Sequence, residues 1–142
     1  MSKQLLSLSI LASILIPNVV LAGQIVQQGS SSATAIGNNN FAASSVKQSA
    51  TQNQSANPNA YVNEQGQTIV QQAHSSAAAV GQDNVVISEI EQNSVQNQYG
   101  NYGDPSNQHA VQNATNNAAA IGQQNTIINT TGQYNLQNQW SY

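Results

Sequence analysis

The stretch "IVQQAHSSAAAVGQ", residues 69–82, decides the fold once its repetition is seen. Taken alone it is ambiguous. Its alanines favour a helix by propensity, whereas "IVQQ" and "VGQ" read as the ends of strands. The ambiguity lifts along the chain. "AIGNNN", "AVGQDN" and "AIGQQN" recur around Gly37, Gly81 and Gly122, and a finer period lies beneath them. A glutamine recurs as an anchor at Gln27, Gln48, Gln71, Gln92, Gln112 and Gln133, at spacings of 21, 23, 21, 20 and 21 residues.

Other positions keep step with these anchors. Two residues after each stand Gly29, Ala50, Ala73, Ser94, Ala114 and Asn135. Five after stand Ser32, Asn53, Ser76, Asn97, Asn117 and Asn138. Eleven after stand Asn38, Asn59, Gln82, Gly103 and Gln123, the sixth unit ending first. Two before, β-formers predominate: Ile25, Val46, Ile69 and Ile90. The units fall near residues 23–40, 41–62, 63–84, 85–104, 105–125 and 126–142.

Period-two alternation marks a strand with two distinct faces. The conserved offsets change parity between two and five residues after the anchor, which predicts a reversal inside each unit. For residues 69–82 this means a strand ending at Gln71, a turn through Ala73, His74 and Ser75, and a second strand from Ser76 to Gln82. Ala78 then points inward and Ala77 and Ala79 outward. "GNNN", "GQDN" and "GQQN" are turn material between units. Pro58 and Pro105 also fall between units, where a proline costs no central ladder bond.

Charge assigns the faces. In the strands leading to the even anchors, Ala42, Ser44, Val46 and Gln48 share one face, as do Val86, Ser88, Ile90 and Gln92, and Ile127, Asn129, Thr131 and Gln133. Phe41, Lys47, Glu89 and Glu91 lie on the other. A buried unpaired charge is costly, so the charged face meets water. Val85 and Ile87 fall on it too, a candidate contact surface. The predicted fold class is all-β: an amyloid-like β-solenoid of about six strand-turn-strand rungs forming two stacked parallel sheets, about 29 Å tall at roughly 4.8 Å per rung. The expected structural site is an inward amide ladder of Gln27, Gln48, Gln71, Gln92, Gln112, Gln133, Asn53, Asn97, Asn117, Asn138, Gln82 and Gln123. Alternate units differ: even ones carry "QNQ" at residues 52–54, 96–98 and 137–139, so the structural unit is either about 21 or about 42 residues.

Composition narrows the function. Residues 24–142 hold 21 Gln and 19 Asn, and Lys47 is their one basic side chain. So little positive charge argues against nucleic acid, whose phosphates need Lys and Arg. There is no cysteine, hence no disulfide framework. Lys3, an apolar run over residues 5–16, and "VLA" at residues 20–22 read as a secretory signal peptide cleaved near Ala22–Gly23. The apolar run is too short for a comfortable membrane span, and the chain beyond it has no integral membrane segment. His74 and His109 occupy non-equivalent positions, and no nucleophile motif frames the serines. No metal, cofactor or enzymatic activity is expected. The first rung is expected to start near the cleavage site and the last to stop at Tyr142 with no cap apparent, and an uncapped stack should add copies of itself.

"QQGSSSATAIGN" (27–38), "QQAHSSAAAVGQ" (71–82) and "QNATNNAAAIGQ" (112–123) resemble the curlin repeat of bacterial curli fibres. The resemblance covers nearly the whole chain after residue 22. It implies a secreted subunit that polymerises with itself into an extracellular amyloid fibre for adhesion and biofilm matrix. It also implies a nucleator or companion curlin subunit and an outer-membrane export channel as partners. The family's glycine stands only at Gly29, and its serine six residues before the anchor only at Ser106. The targeting segment usual after the signal peptide is nearly absent. The paired 42-residue organisation also looks like the Fap type of functional amyloid. A monomeric secreted β-solenoid adhesin, acting through its outer face, is the alternative from the binding class.

Overall fold

The computed structural model describes residues 17–20, 23–55, 65–100 and 106–141, and every regular element among them is a strand. These are β1 (Pro17–Val20), β2 (Gly23–Ile36), β3 (Phe41–Ser55), β4 (Gln65–Gln82), β5 (Val85–Gly100), β6 (Ser106–Gln123) and β7 (Thr126–Ser141). Two all-parallel sheets result, one ordered β1-β3-β5-β7 and the other β2-β4-β6. The expected all-β solenoid with two stacked parallel sheets is the fold. Pro58 and Pro105, and most of the expected signal peptide, lie outside the described residues.

Each repeat unit is one straight strand. Residues 69–82 run unbroken within β4, with no reversal at Ala73–Ser75. The turns lie between units at residues 37–40, 83–84 and 124–125, and each joins an odd unit in one sheet to an even unit in the other. A strand-turn-strand rung therefore spans two units, and six units make three rungs: β2 with β3, β4 with β5, β6 with β7. The stacking period is 44 and then 41 residues, as in Gln27↔Gln71↔Gln112 and Gln48↔Gln92↔Gln133. Three rungs stand about 14 Å tall, half the expected height. The 42-residue alternative is the correct one.

Parity explains the difference. Along β4 the inward positions are Gln67, Ile69, Gln71, Ala73, Ser75, Ala77 and Ala79, a single uninterrupted alternation. Ala77 and Ala79 are inward and Ala78 outward, the reverse of the expectation. The columns five after each anchor recur because side chains on the outer face also stack on their equivalents. Recurrence reports stacking on either face, not inwardness.

The core is thin and matched in size across the sheets. Val46 and Ile90 pack on Ala73 and Ala114, and Ile25 and Ile69 pack on Ala50. Near the turns Ala33, Ala35, Ala77 and Ala79 meet Ala42 and Val86. Large side chains on one sheet thus stand opposite small ones on the other, the complementarity that close packing requires. At the turns Gly81 and Gly122 have φ of +134° and +126°, and a Cβ on either would sit 1.9 Å from the carbonyl oxygen of the glycine one rung below. The turn glycines thus permit both the bend and the stacking of bends.

Candidate functional site

The anchors form the expected ladders, in two columns. In one, Gln71 donates to the Gln27 side-chain oxygen at 2.7 Å, and Gln112 donates to Gln71 at 2.9 Å. In the other, Gln92 donates to Gln48 at 2.8 Å and Gln133 to Gln92 at 2.7 Å. Gln27, Gln48, Gln71 and Gln92 are buried. A buried carboxamide brings two N–H donors and an oxygen that must be satisfied. The second donor crosses the core to a backbone carbonyl of the facing sheet: Gln27 to Ser49 at 2.8 Å, Gln71 to Asn93 at 2.9 Å, Gln48 to Gln72 at 2.9 Å, Gln92 to Asn113 at 3.2 Å. One side chain thus ties rung to rung and sheet to sheet.

The asparagine part of the expected ladder is displaced. Asn97 donates to Asn53 at 2.8 Å and Asn138 to Asn97 at 2.9 Å, but this column is on the outer face. The cause is the straight strand: an odd offset from an inward anchor points outward. Asn117 also faces outward, in register with Ser32 and Ser76. Gln82 and Gln123 are exposed strand ends that act through their backbones. The Gln82 carbonyl accepts from the Asn39 N–H at 2.9 Å, and the Gln123 carbonyl from the Asp83 N–H at 3.1 Å.

Several polar columns escaped the sequence reading. Gln96 donates to Gln52 at 3.1 Å and Gln137 to Gln96 at 2.8 Å, a third inward ladder. Its signal was present in "QNQ", whose glutamines alternate at period two. A zigzag of hydroxyls climbs between the sheets: Ser44 and Ser75 share a hydrogen bond of 2.8 Å, as do Ser75 and Ser88, and Ser88 bonds Asn116. In the turns, the Asn84 side chain accepts from the Asn40 N–H at 2.8 Å, and Asn125 from the Asn84 N–H at 3.0 Å.

The outer face carries the charges where expected. Lys47 Nζ lies 3.1 Å from Glu91, with side chains 46% and 58% exposed. Glu91, then Glu89, hold the Lys47 ammonium above its ordinary value. His74 stands in a column with Ser30 and Thr115, and His109 beside Thr68, so the histidines do not stack. A shallow groove lined by Gln28, Ser30, Gln72, His74, Asn113 and Thr115 follows the stack along this face of β2-β4-β6.

The end made by β6 and β7, here the top, is open. Each of these strands pairs on one side only among the described strands. Ile127 belongs to the inward column of Ala42 and Val86, which are buried, yet it is 47% exposed. At the bottom, β1 pairs in parallel with Ser49–Gln52 of β3. Among the described residues no helix is long and apolar enough to cross a membrane. No family model, no curated protein and no solved structure matches the chain.

Proposed function

We propose that this chain is a structural subunit of an extracellular, curli-like amyloid fibre of a bacterial surface, serving adhesion and biofilm matrix. It grows by adding copies of itself to the strand edges of its end rungs. The observation that carries this reading is the top rung, a full repeat of the rungs below it whose inward column ends with Ile127 in the open. An edge of unpaired backbone groups above uncovered core side chains is a template for another strand pair. The parallel seating of β1 on β3 supports the same reading at the bottom, because that edge accepts an added strand in register. Cleavage at the expected site removes β1 and opens the rest of β3. A nucleating companion subunit and an outer-membrane channel belong to the same proposal through the curlin resemblance.

The test is polymerisation of the full chain and of the chain from Gly23. Fibres with a meridional reflection near 4.8 Å, appearing after a lag that preformed seeds abolish, are expected. Protein that stays monomeric at micromolar concentration overturns the reading. It would favour the adhesin alternative, which has its own support in the exposed outer column of Ile36, Val80 and Ile121.

A further inference from the structure

The two ends of the stack are unlike, and the polar groups that differ between them are complementary. Between rungs, bonds step from the β3-β5-β7 sheet up to the β2-β4-β6 sheet of the next rung. Gln48 donates up to the Gln72 carbonyl and Gln92 up to the Asn113 carbonyl. Ser75 reaches down to the Ser44 hydroxyl and carbonyl, at 2.8 and 3.2 Å. Asn116 reaches down to the Ser88 carbonyl at 3.1 Å. Each of these two columns breaks the pattern once, at an end. Gln133, with no rung above, donates back into its own rung, to the Gln112 carbonyl at 3.1 Å. Ser31 shares the column of Ser75 and Asn116. It is only 5% exposed, and its hydroxyl has no hydrogen-bond partner.

Continuing the columns one step says what each end lacks. The position that receives Gln48 and Gln92 is Gln72 and Asn113, whose equivalent in the bottom rung is Gln28. The position that receives Ser75 and Asn116 is Ser44 and Ser88, whose equivalent in the top rung is Asn129. A second copy seated on the top of the first, with the same step, brings its Ser31 onto Asn129 and its Gln28 carbonyl over Gln133.

We infer that copies join head to tail in one register. Once the expected cleavage has removed β1 from Ser49–Gln52, the Phe41–Ser55 strand of the upper copy pairs in parallel along residues 126–140 of the lower copy, and its residues 23–36 along residues 108–121. The inference rests on the self-association proposed above and adds its polarity and alignment. Contact between like ends is excluded by direction. The strands of the two sheets run oppositely, being joined by tight turns, so any two-fold axis relating two tops or two bottoms makes the joining strands antiparallel. That breaks the inward columns, and antiparallel ladders bond in a different pattern. Charges also accept the register. The outer column reads Lys47, Glu91, Gly132, so each Lys47 of the next copy lands on a glycine with open space around it. Equal charges then recur about 14 Å apart, beyond the screening length of roughly 8 Å in physiological salt. A head-to-tail contact of this kind does not close and yields a filament.

The absence of cysteine in the chain permits a direct test. Ala43 and Ile128 share an outer-face column with Ile87 between them. Within one copy they are two rungs apart, about 9.6 Å, too far for a disulfide. Across the inferred junction they are adjacent. The chain from Gly23, which lacks β1 and keeps all three rungs, is prepared with Ala43→Cys or with Ile128→Cys, and each variant and an equal mixture are polymerised, then oxidised. Disulfide-linked dimers are expected from the mixture and from neither variant alone. Dimers from one variant alone would establish like-end contact and overturn the inference. So would a mixture that links no better than Ala43→Cys with Thr126→Cys, which is off register by two residues. Failure of the unsubstituted chain to form fibres at all, seen before oxidation, would instead overturn the proposed function.

Discussion

Gln71 and Gln27, 44 residues apart in sequence, share a buried hydrogen bond of 2.7 Å between their carboxamides. Gln71 sits at the middle of its column, so it also accepts from Gln112 and donates to the Asn93 carbonyl. Gln71→Leu removes all three bonds, of which the one to Gln27 lies within the buried core. Leaving a buried polar group unsatisfied costs about 1–3 kcal/mol each, so the denaturation midpoint of the soluble chain should fall markedly. Gln71→Glu should be worse at neutral pH, because burial disfavours the carboxylate. That variant should recover on acidification, as the neutral acid regains a donor. The same changes at exposed Gln82 should alter stability little. Equal effects at Gln71 and Gln82 would refute the inward assignment of the anchors.

What the sequence made legible was whatever recurs. Spacing disclosed the six anchors, the turn glycines and the inward face of Ala42 to Gln48. Charge on Lys47, Glu89 and Glu91 oriented that face correctly. The length of a rung was not legible, because a single strand per unit and a strand-turn-strand rung folded within one unit would both recur every 21 residues or so. Asn53, Asn97 and Asn138 misled for a physical reason: amides stack as well on the wet face as in the core, so a conserved odd offset looked like a turn. The serine zigzag was hidden because Ser44, Ser75 and Ser88 meet only when adjacent units are known to lie in opposite sheets.

Gly81 and Gly132 should separate two meanings of glycine in this fold. Gly81→Ala places a methyl 1.9 Å from the Gly37 carbonyl oxygen in a backbone at φ +134°. The strained conformation alone costs on the order of 1–3 kcal/mol, and the clash forces rungs one and two apart. Loss of the folded monomer, or of seeding by wild-type fibres, is expected. Gly132 meets nothing within 4 Å, and a strand glycine lacks packing, so Gly132→Ala should hold or raise the thermal midpoint. A tolerated Gly81→Ala would contradict the stacked-turn geometry.

The Lys47–Glu91 pair sets an alkaline limit. Its partners, Glu91 first and then Glu89, hold Lys47 above its ordinary value of 10.5, so the folded state binds that proton more tightly than the unfolded chain does. The stabilisation is complete below pH 10.5 and disappears as pH rises through the raised value. Both side chains are about half exposed, so the effect is small and screened by salt. Comparison of wild type with Lys47→Met isolates it from tyrosine ionisation: their difference in denaturation midpoint should shrink on passing above pH 10.5 and on adding salt. A difference that is flat across both conditions would remove any role for the pair.

Trp140 gives an optical report on the top edge. It stacks on Tyr99 with ring centroids 4.6 Å apart and planes 10° from parallel, and it is 44% exposed. It is also the single tryptophan of the chain. Tyr99→Ala removes the stack, a loss of about 0.5–1.5 kcal/mol beyond buried area, and should shift Trp140 emission to the red in the monomer. In the head-to-tail register Ser55 of the next copy falls beside Trp140, following the column Ser55, Tyr99, Trp140. Emission should therefore move to the blue as fibres form, and acrylamide quenching should weaken in step with pelletable mass. Quenching that stays at the monomer level in mature fibres would mean that the β7 edge is not the surface that joins, whatever the fibres' diffraction.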